Sequence, residues 1–166
     1  MNVGIVGLGL IGGSMAKSIK TRTSHTAWGI DLEAETMTLA RLSGAIDGTL
    51  TRENLPACDL VLVAIRPQAA IDWVLENSCA IGKSAILVDL CGVKRSVCAA
   101  LKPIADQYGF AYIGGHPMAG RERGGFVHSS EELFSGASMI LTPDARTDMR
   151  MLETLKAFFT DIGFAG

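Results

Sequence analysis

The opening stretch "MNVGIVGLGLIGGSMA" joins a short apolar run to glycines at positions 7, 9 and 12. A run that is apolar at nearly every position reads as a strand buried on both faces, and the residues from Leu10 onward have helical spacing. Strand, glycine turn and helix in that order open a βαβ unit, which commits the chain to a parallel sheet with crossover helices. Gly7 permits the tight turn, Gly9 lets backbone approach a pyrophosphate, and Gly12 lets the helix pack closely on the strand. Leu10 and Ile11 open that helix with free N–H groups at the positive end of its dipole, so a dinucleotide is the expected ligand. The plainer reading is that the glycines serve a tight βα turn alone. The stretch lacks the basic region of a secretion signal and reads as mature protein.

The pattern continues along the chain. Strands are predicted at 2–6, 26–30, 45–47, 60–65, 85–90, 110–114 and 138–141. The intervening helices are predicted at 10–20, 33–43, 68–76, 95–108 and 148–161, with Gly44 and Gly109 as C-caps. The fold class is therefore α/β, a Rossmann-type doubly wound, mostly parallel sheet with helices on both faces. The 166 residues are expected to form a single dinucleotide-binding domain. The longest stretch without a clear element runs from His116 to about Ser130, and such loops are usually functional or mobile.

Composition narrows the ligand. A net charge of −2 leaves no electrostatic footprint for nucleic acid, and no apolar run is long enough to span a bilayer, so a small molecule is the expected partner. Cysteines at 58, 79, 91 and 98 include no CxxC and no histidine at ligand spacing. That pattern suggests neither a disulfide framework nor a metal site, but reduced thiols in a cytoplasmic protein.

Asp31, nineteen residues beyond Gly12 at the end of the second predicted strand, is placed to accept hydrogen bonds from the adenosine ribose and to repel a 2′-phosphate. NAD is thus favoured over NADP, although Asp31 also suits the N-cap of the helix that follows. Ligands of open α/β sheets bind beyond the carboxyl ends of the strands. Ile65 ends the fourth strand, Arg66 follows it and Asp89 lies near the end of the fifth, all expected at the cofactor; Lys94 lies just beyond. His116 follows the sixth, in "GGHPMAGRE". A neutral imidazole there can take a proton or hydrogen bond from a substrate hydroxyl as hydride leaves the same carbon. The bland alternative is a histidine that ties loop backbone together. His25 and His128 read as solvated.

The motifs "GLGLIGGSMAKSIK", "DLVLVAIRP", "VDLCGVK", "GGHPMAGRERGG" and "LFSGASMILTP" occur in the order and at about the spacing of the nucleotide-binding domain of prephenate and arogenate dehydrogenases, the family this chain resembles. The resemblance implies NAD-dependent oxidative decarboxylation. C4 of prephenate gives up hydride, loss of carbon dioxide aromatises the ring to 4-hydroxyphenylpyruvate, and the corresponding reaction of arogenate gives tyrosine. His116 falls on the family's catalytic histidine. The family often reads DxGSVK, with a serine against that histidine; this chain has Gly92 there with Cys91 before it, leaving water, Cys91 or Ser14 to supply the missing group. Gly92, Lys94 and Arg121 are the candidate substrate contacts, with Arg121 standing where serine is common and Arg123 near it; a solvated basic loop is the alternative. Family members dimerise through a further helical domain that also meets the substrate. Its absence from these residues predicts impaired substrate capture and dimerisation. A stand-alone NAD-binding or regulatory module, or a related β-hydroxyacid or pyrroline-carboxylate type of dehydrogenase, are the competing readings.

Overall fold

The computed structural model describes residues 1–166. In chain order, strands β1 (Asn2–Val6), β2 (Thr26–Ile30), β3 (Gly48–Thr49), β4 (Leu60–Val63), β5 (Ile86–Asp89), β6 (Ala111–Pro117) and β7 (Met139–Thr142) alternate with helices. The helices are α1 (Leu10–Arg22), α2 (Ala34–Leu42), α3 (Pro67–Asn77), α4 (Arg95–Tyr108) and α5 (Met149–Asp161). The strands form one seven-stranded sheet in the order β3-β2-β1-β4-β5-β6-β7. All neighbours are parallel except β6 and β7, which are antiparallel. This is the Rossmann-like arrangement expected from the alternation of elements.

The strands are apolar throughout because both faces of the sheet are covered. On β4, Leu60 and Leu62 point into the core formed with α1, α2 and α5, while Val61 and Val63 point into the core formed with α3 and α4. Val3 and Ile5 of β1 join the first core and Val6 the second. Each such fully buried aliphatic side chain contributes about 1.5–3 kcal/mol. The helices present one apolar stripe each: on α4 it is Val97, Leu101, Ile104 and Ala105, at the three- and four-residue spacing of a helix face. Gly109 ends α4 at φ +84°, its N–H donating to the Ala105 carbonyl, and Gly44 follows α2 at φ +72°.

Two strands depart from the sequence reading by three residues. The third strand lies at 48–49 instead of 45–47. Ala45 and Ile46 are buried in the first core, and Asp47 makes the first bonds to β2, its N–H donating to the Ala27 carbonyl and its carboxylate accepting the Ala27 N–H, so the paired register begins at Gly48. The sixth strand does not stop at Gly114 but runs through Pro117, because β7 comes back antiparallel along it and pairs His116 with Ile140 and Pro117 with Met139. Main-chain bonds between neighbouring strands thus hold the histidine on the sheet, and the irregular segment begins at Met118.

Candidate active site at the carboxyl ends of the strands

The register brings five strands to one level: Ile30 of β2 is beside Val6 of β1, Val6 beside Val63 of β4, Val63 beside Asp89 of β5, and Asp89 beside Gly114 of β6. Everything just beyond that row faces a common rim. Gly7 takes φ +88°, and a Cβ there would meet the Ala64 carbonyl oxygen at 2.5 Å, so the turn is closed to any other residue. A Cβ on Gly12 would lie 1.7 Å from the Gly7 carbonyl oxygen, which is the close helix-to-strand approach the motif requires. Gly9 differs: a Cβ on it would touch nothing within 4 Å, so the cradle above it is open. Helix α1 has no side-chain cap and no acidic residue in its first turn. The N–H groups of Leu10, Ile11 and Gly12 therefore lack intrahelical acceptors and make the kind of anion site that a pyrophosphate fits.

Asp31 stands beside this turn and supports it directly. One carboxylate oxygen accepts the Leu8 N–H at 2.8 Å and the other the Glu33 N–H at 2.9 Å. The N-cap of α2 is Glu33, so Asp31 does not cap that helix in the way the alternative reading required. Each of its oxygens retains a second lone pair. Ile65 lies against Gly7, half buried, and Arg66 is exposed at the N-cap of α3 without a hydrogen-bond partner for its guanidinium.

His116 lies two residues beyond the common level, half buried, and neither ring nitrogen has a hydrogen-bond partner in the protein. Gly92, three residues beyond the end of β5, lies beside it: a Cβ there would be 3.5 Å from His116 Nε2 and 3.8 Å from Cε1. Neither protein candidate for the missing hydroxyl is directed there. Ser14 is fully buried and its Oγ accepts the Ser130 N–H at 3.0 Å. The Cys91 thiol donates to the Ile65 carbonyl at 3.4 Å, and burial, with Asp89 beside it, pushes its pKa up to about 11, so it stays a neutral thiol.

Asp89 corrects the sequence reading. It was expected at the cofactor, but it is 0 % exposed and its oxygens are taken by the Lys94 ammonium, the Tyr112 hydroxyl at 2.5 Å and the Cys91 N–H at 3.1 Å. Lys94, a candidate substrate contact, has its ammonium paired with Asp89 and donating to the Gly115 carbonyl at 2.7 Å. Gly114 and Gly115 are likewise used internally. A Cβ on Gly114 would meet Thr142 Oγ1 at 2.4 Å, Cys98 Sγ at 2.9 Å and the Lys94 stem at 3.3 Å. Arg121 is exposed, with no hydrogen bond, and its charge is felt at Lys17; burial lowers that ammonium's pKa first, Glu131 opposes, and Arg121 adds to the lowering.

Sequence reasoning missed Gly13. A Cβ there would run into Phe126 at 2.8 Å and Ser129 at 2.9 Å, so this glycine is the notch in which the segment after His116 seats. Lys17 completes the seat by donating to the Ser129 carbonyl at 3.0 Å and lying 4.5 Å from the Phe126 ring centre. The signal was present in the second glycine and the serine of "GLIGGS". His25, read as solvated, is half buried, with Nδ1 2.9 Å from the Met1 nitrogen and its ring stacked on Phe158. His128 is half buried as well.

Residues 15–165 match the family model of the prephenate dehydrogenase nucleotide-binding domain. The chain belongs to that family. Among prephenate dehydrogenases, it is 31% identical over 156 residues to the one from Bacillus subtilis, covering 92% of this chain and 42% of the relative. The crystal structure of Aquifex aeolicus prephenate dehydrogenase in complex with hydroxyphenyl propionate and NAD+ superposes with a TM-score of 0.89 at 31% identity, over 99% of this chain and 58% of that one. Synechocystis arogenate dehydrogenase superposes with a TM-score of 0.88 at 28% identity, over 99% and 58%. The chain thus spans about half the length of the prephenate dehydrogenases it matches. No helix is long and apolar enough to cross a membrane, and no three His, Cys, Asp or Glu side chains cluster to hold a metal.

Proposed function

We propose that this domain binds NAD+ and supplies the catalytic histidine for oxidative decarboxylation of prephenate or arogenate in tyrosine biosynthesis. The observation that carries the reading is His116: an imidazole with both nitrogens free, on the rim where the strand ends converge, held in place by strand pairing on β6. Gly9, Leu10, Ile11 and Gly12 take the pyrophosphate, Asp31 the adenosine ribose, and Ile65 and Arg66 border the path toward the histidine. NAD+, when bound, supplies the acceptor for the hydride leaving the substrate ring. His116 accepts the hydrogen bond of the ring hydroxyl and draws its proton as that carbon becomes a carbonyl-like centre on the way to the aromatic ring. The NAD+ held in the Aquifex complex and the high overlap of the two structures support the cofactor assignment.

Arg121, exposed and unpaired, is the remaining candidate for a substrate carboxylate, with Gly92 opening the space beside the histidine. Dimerisation and further substrate contacts through a helical domain belong to the same proposal, as does a reducing, cytoplasmic setting, which four free cysteines support. The test is NADH formation with NAD+ and prephenate, run beside L-arogenate and a His116→Asn variant. Turnover lowered on the order of 10²-fold or more in the variant is the expected result. Equal turnover in the two proteins overturns the role of His116, and NADH binding without turnover of either substrate favours a binding module.

A further inference from the structure

The His116 ring has no hydrogen bond to orient it, so its position must come from the backbone that carries it. Side chains hold the two peptide groups that precede His116. Lys94 Nζ donates to the Gly115 carbonyl at 2.7 Å, and the same ammonium is paired with Asp89, which no solvent reaches. Tyr112 Oη donates to the second Asp89 oxygen at 2.5 Å and lies 3.4 Å from Cys98 Sγ. Thr142 Oγ1, 3.8 Å from the same sulfur, donates to the Gly114 carbonyl at 3.1 Å. The carbonyls of both glycines before the histidine are thus held, one by a cation and one by a hydroxyl. Gly114 is a glycine because the Lys94 stem, Cys98 and Thr142 fill the space where its side chain would be.

We infer that Lys94, Asp89 and Tyr112 are positioning residues for His116, acting through the Gly115 carbonyl rather than on substrate or cofactor. A charge-assisted hydrogen bond to that carbonyl fixes the peptide plane and hence the direction in which the histidine leaves the strand. Asp89 keeps the ammonium on the carbonyl, and Tyr112 keeps the carboxylate in place. Burial and the hydrogen bond to Asp89 both push the Tyr112 phenol upward, so it remains a donor at every working pH. Lys94 reaches this position from the N-cap of α4, so the start of that helix and the histidine strand are tied at one point.

The role in catalysis rests on the function proposed above; the geometry does not, and the two are tested separately. The first measurement is NMR of the three histidines in this chain, as it stands and in Lys94→Met, Lys94→Arg and Tyr112→Phe. Removing one partner of a buried pair is costly to folding. Tyr112→Phe, which keeps both charges, is therefore the second, milder variant. The expected result is a shifted His116 amide and a broadened His116 ring resonance in Lys94→Met and, more weakly, in Tyr112→Phe, with partial recovery in Lys94→Arg and unmoved signals from His25 and His128. An unmoved His116, or equal movement of all three histidines, overturns the inference. With prephenate and NAD+, Tyr112→Phe should lower kcat on the order of 10-fold at an unchanged KM. A loss confined to KM overturns it too, whereas normal turnover by His116→Asn overturns only the proposed function.

Discussion

Gly92 and His116 face each other across the ends of β5 and β6 so closely that a methyl group on the glycine would lie in ordinary contact, 3.5 Å, with the ring Nε2. The space is that of one small side chain. Nothing in the protein fills it, because the thiol next door is turned to the Ile65 carbonyl and Ser14 is turned to Ser130.

Gly92→Ser should therefore fold without strain, since the glycine is outside the left-handed region and the new Cβ meets no atom closer than 3.5 Å. Loss of glycine freedom in the unfolded chain stabilises by about 0.4–1 kcal/mol. The hydroxyl comes within reach of Nε2, and the His116 ring resonance should shift and sharpen. Thermal denaturation and histidine NMR on the same sample check both halves.

The glycine turn separates folding from binding. Gly9→Ala puts a methyl group into open space and should leave the melting temperature within a degree or two, yet lower NADH affinity on the order of 10-fold by obstructing the pyrophosphate cradle. Gly12→Ala drives a methyl group into the Gly7 carbonyl and should destabilise by at least about 2 kcal/mol. Denaturation curves and fluorescence titration with NADH distinguish the two; equal effects on stability would refute the division.

Asp89→Asn keeps the shape of a fully buried side chain and removes its charge, leaving the Lys94 ammonium against a neutral amide. Breaking a buried pair from one side costs about 3 kcal/mol. Urea denaturation should show that loss with an unchanged slope, and a value near zero would mean that water already screens the pair.

Stability should also fall in acid through Asp47. Burial alone would raise its pKa, but the Lys20 ammonium at 2.7 Å and the Ala27 N–H at 2.8 Å outweigh it and hold the carboxyl below its ordinary 3.8. A carboxylate depressed in the folded state contributes stability that is complete above pH 3.8 and is lost as pH falls through the lower folded value. The melting temperature of Asp47→Asn should accordingly lie below that of the parent at neutral pH and approach it as the pH drops under 3.8. A gap that stays constant in acid would assign the effect to packing alone.

Much of this was legible in the chain itself. Strands buried on both faces announce themselves by unbroken apolar runs, and Gly7, Gly9 and Gly12 encode turn, cradle and packing through the absence of a side chain. What was not legible depended on partners distant in sequence. Asp89 at a strand end reads as a ligand contact until Lys94 and Tyr112 are seen to enclose it. The extension of β6 past Gly114 needs the returning β7, and register between strands leaves no trace in either one alone. The third strand moved because Ala45 and Ile46 are drawn into the core, a demand of packing and not of local preference.

The notch at Gly13 has a consequence for how this domain can change. With Phe126 and Ser129 wedged against α1, and Pro117 paired on the sheet, the residues from Met118 to Gly125 are strung between two fixed posts. Arg121, Glu122 and Arg123 are all exposed along that span. Residues grafted into its exposed part, 120–125, would displace no core side chain, so lineages and engineers alike have a tolerant segment at the lip of the site, while a single methyl group at Gly13 would unseat it.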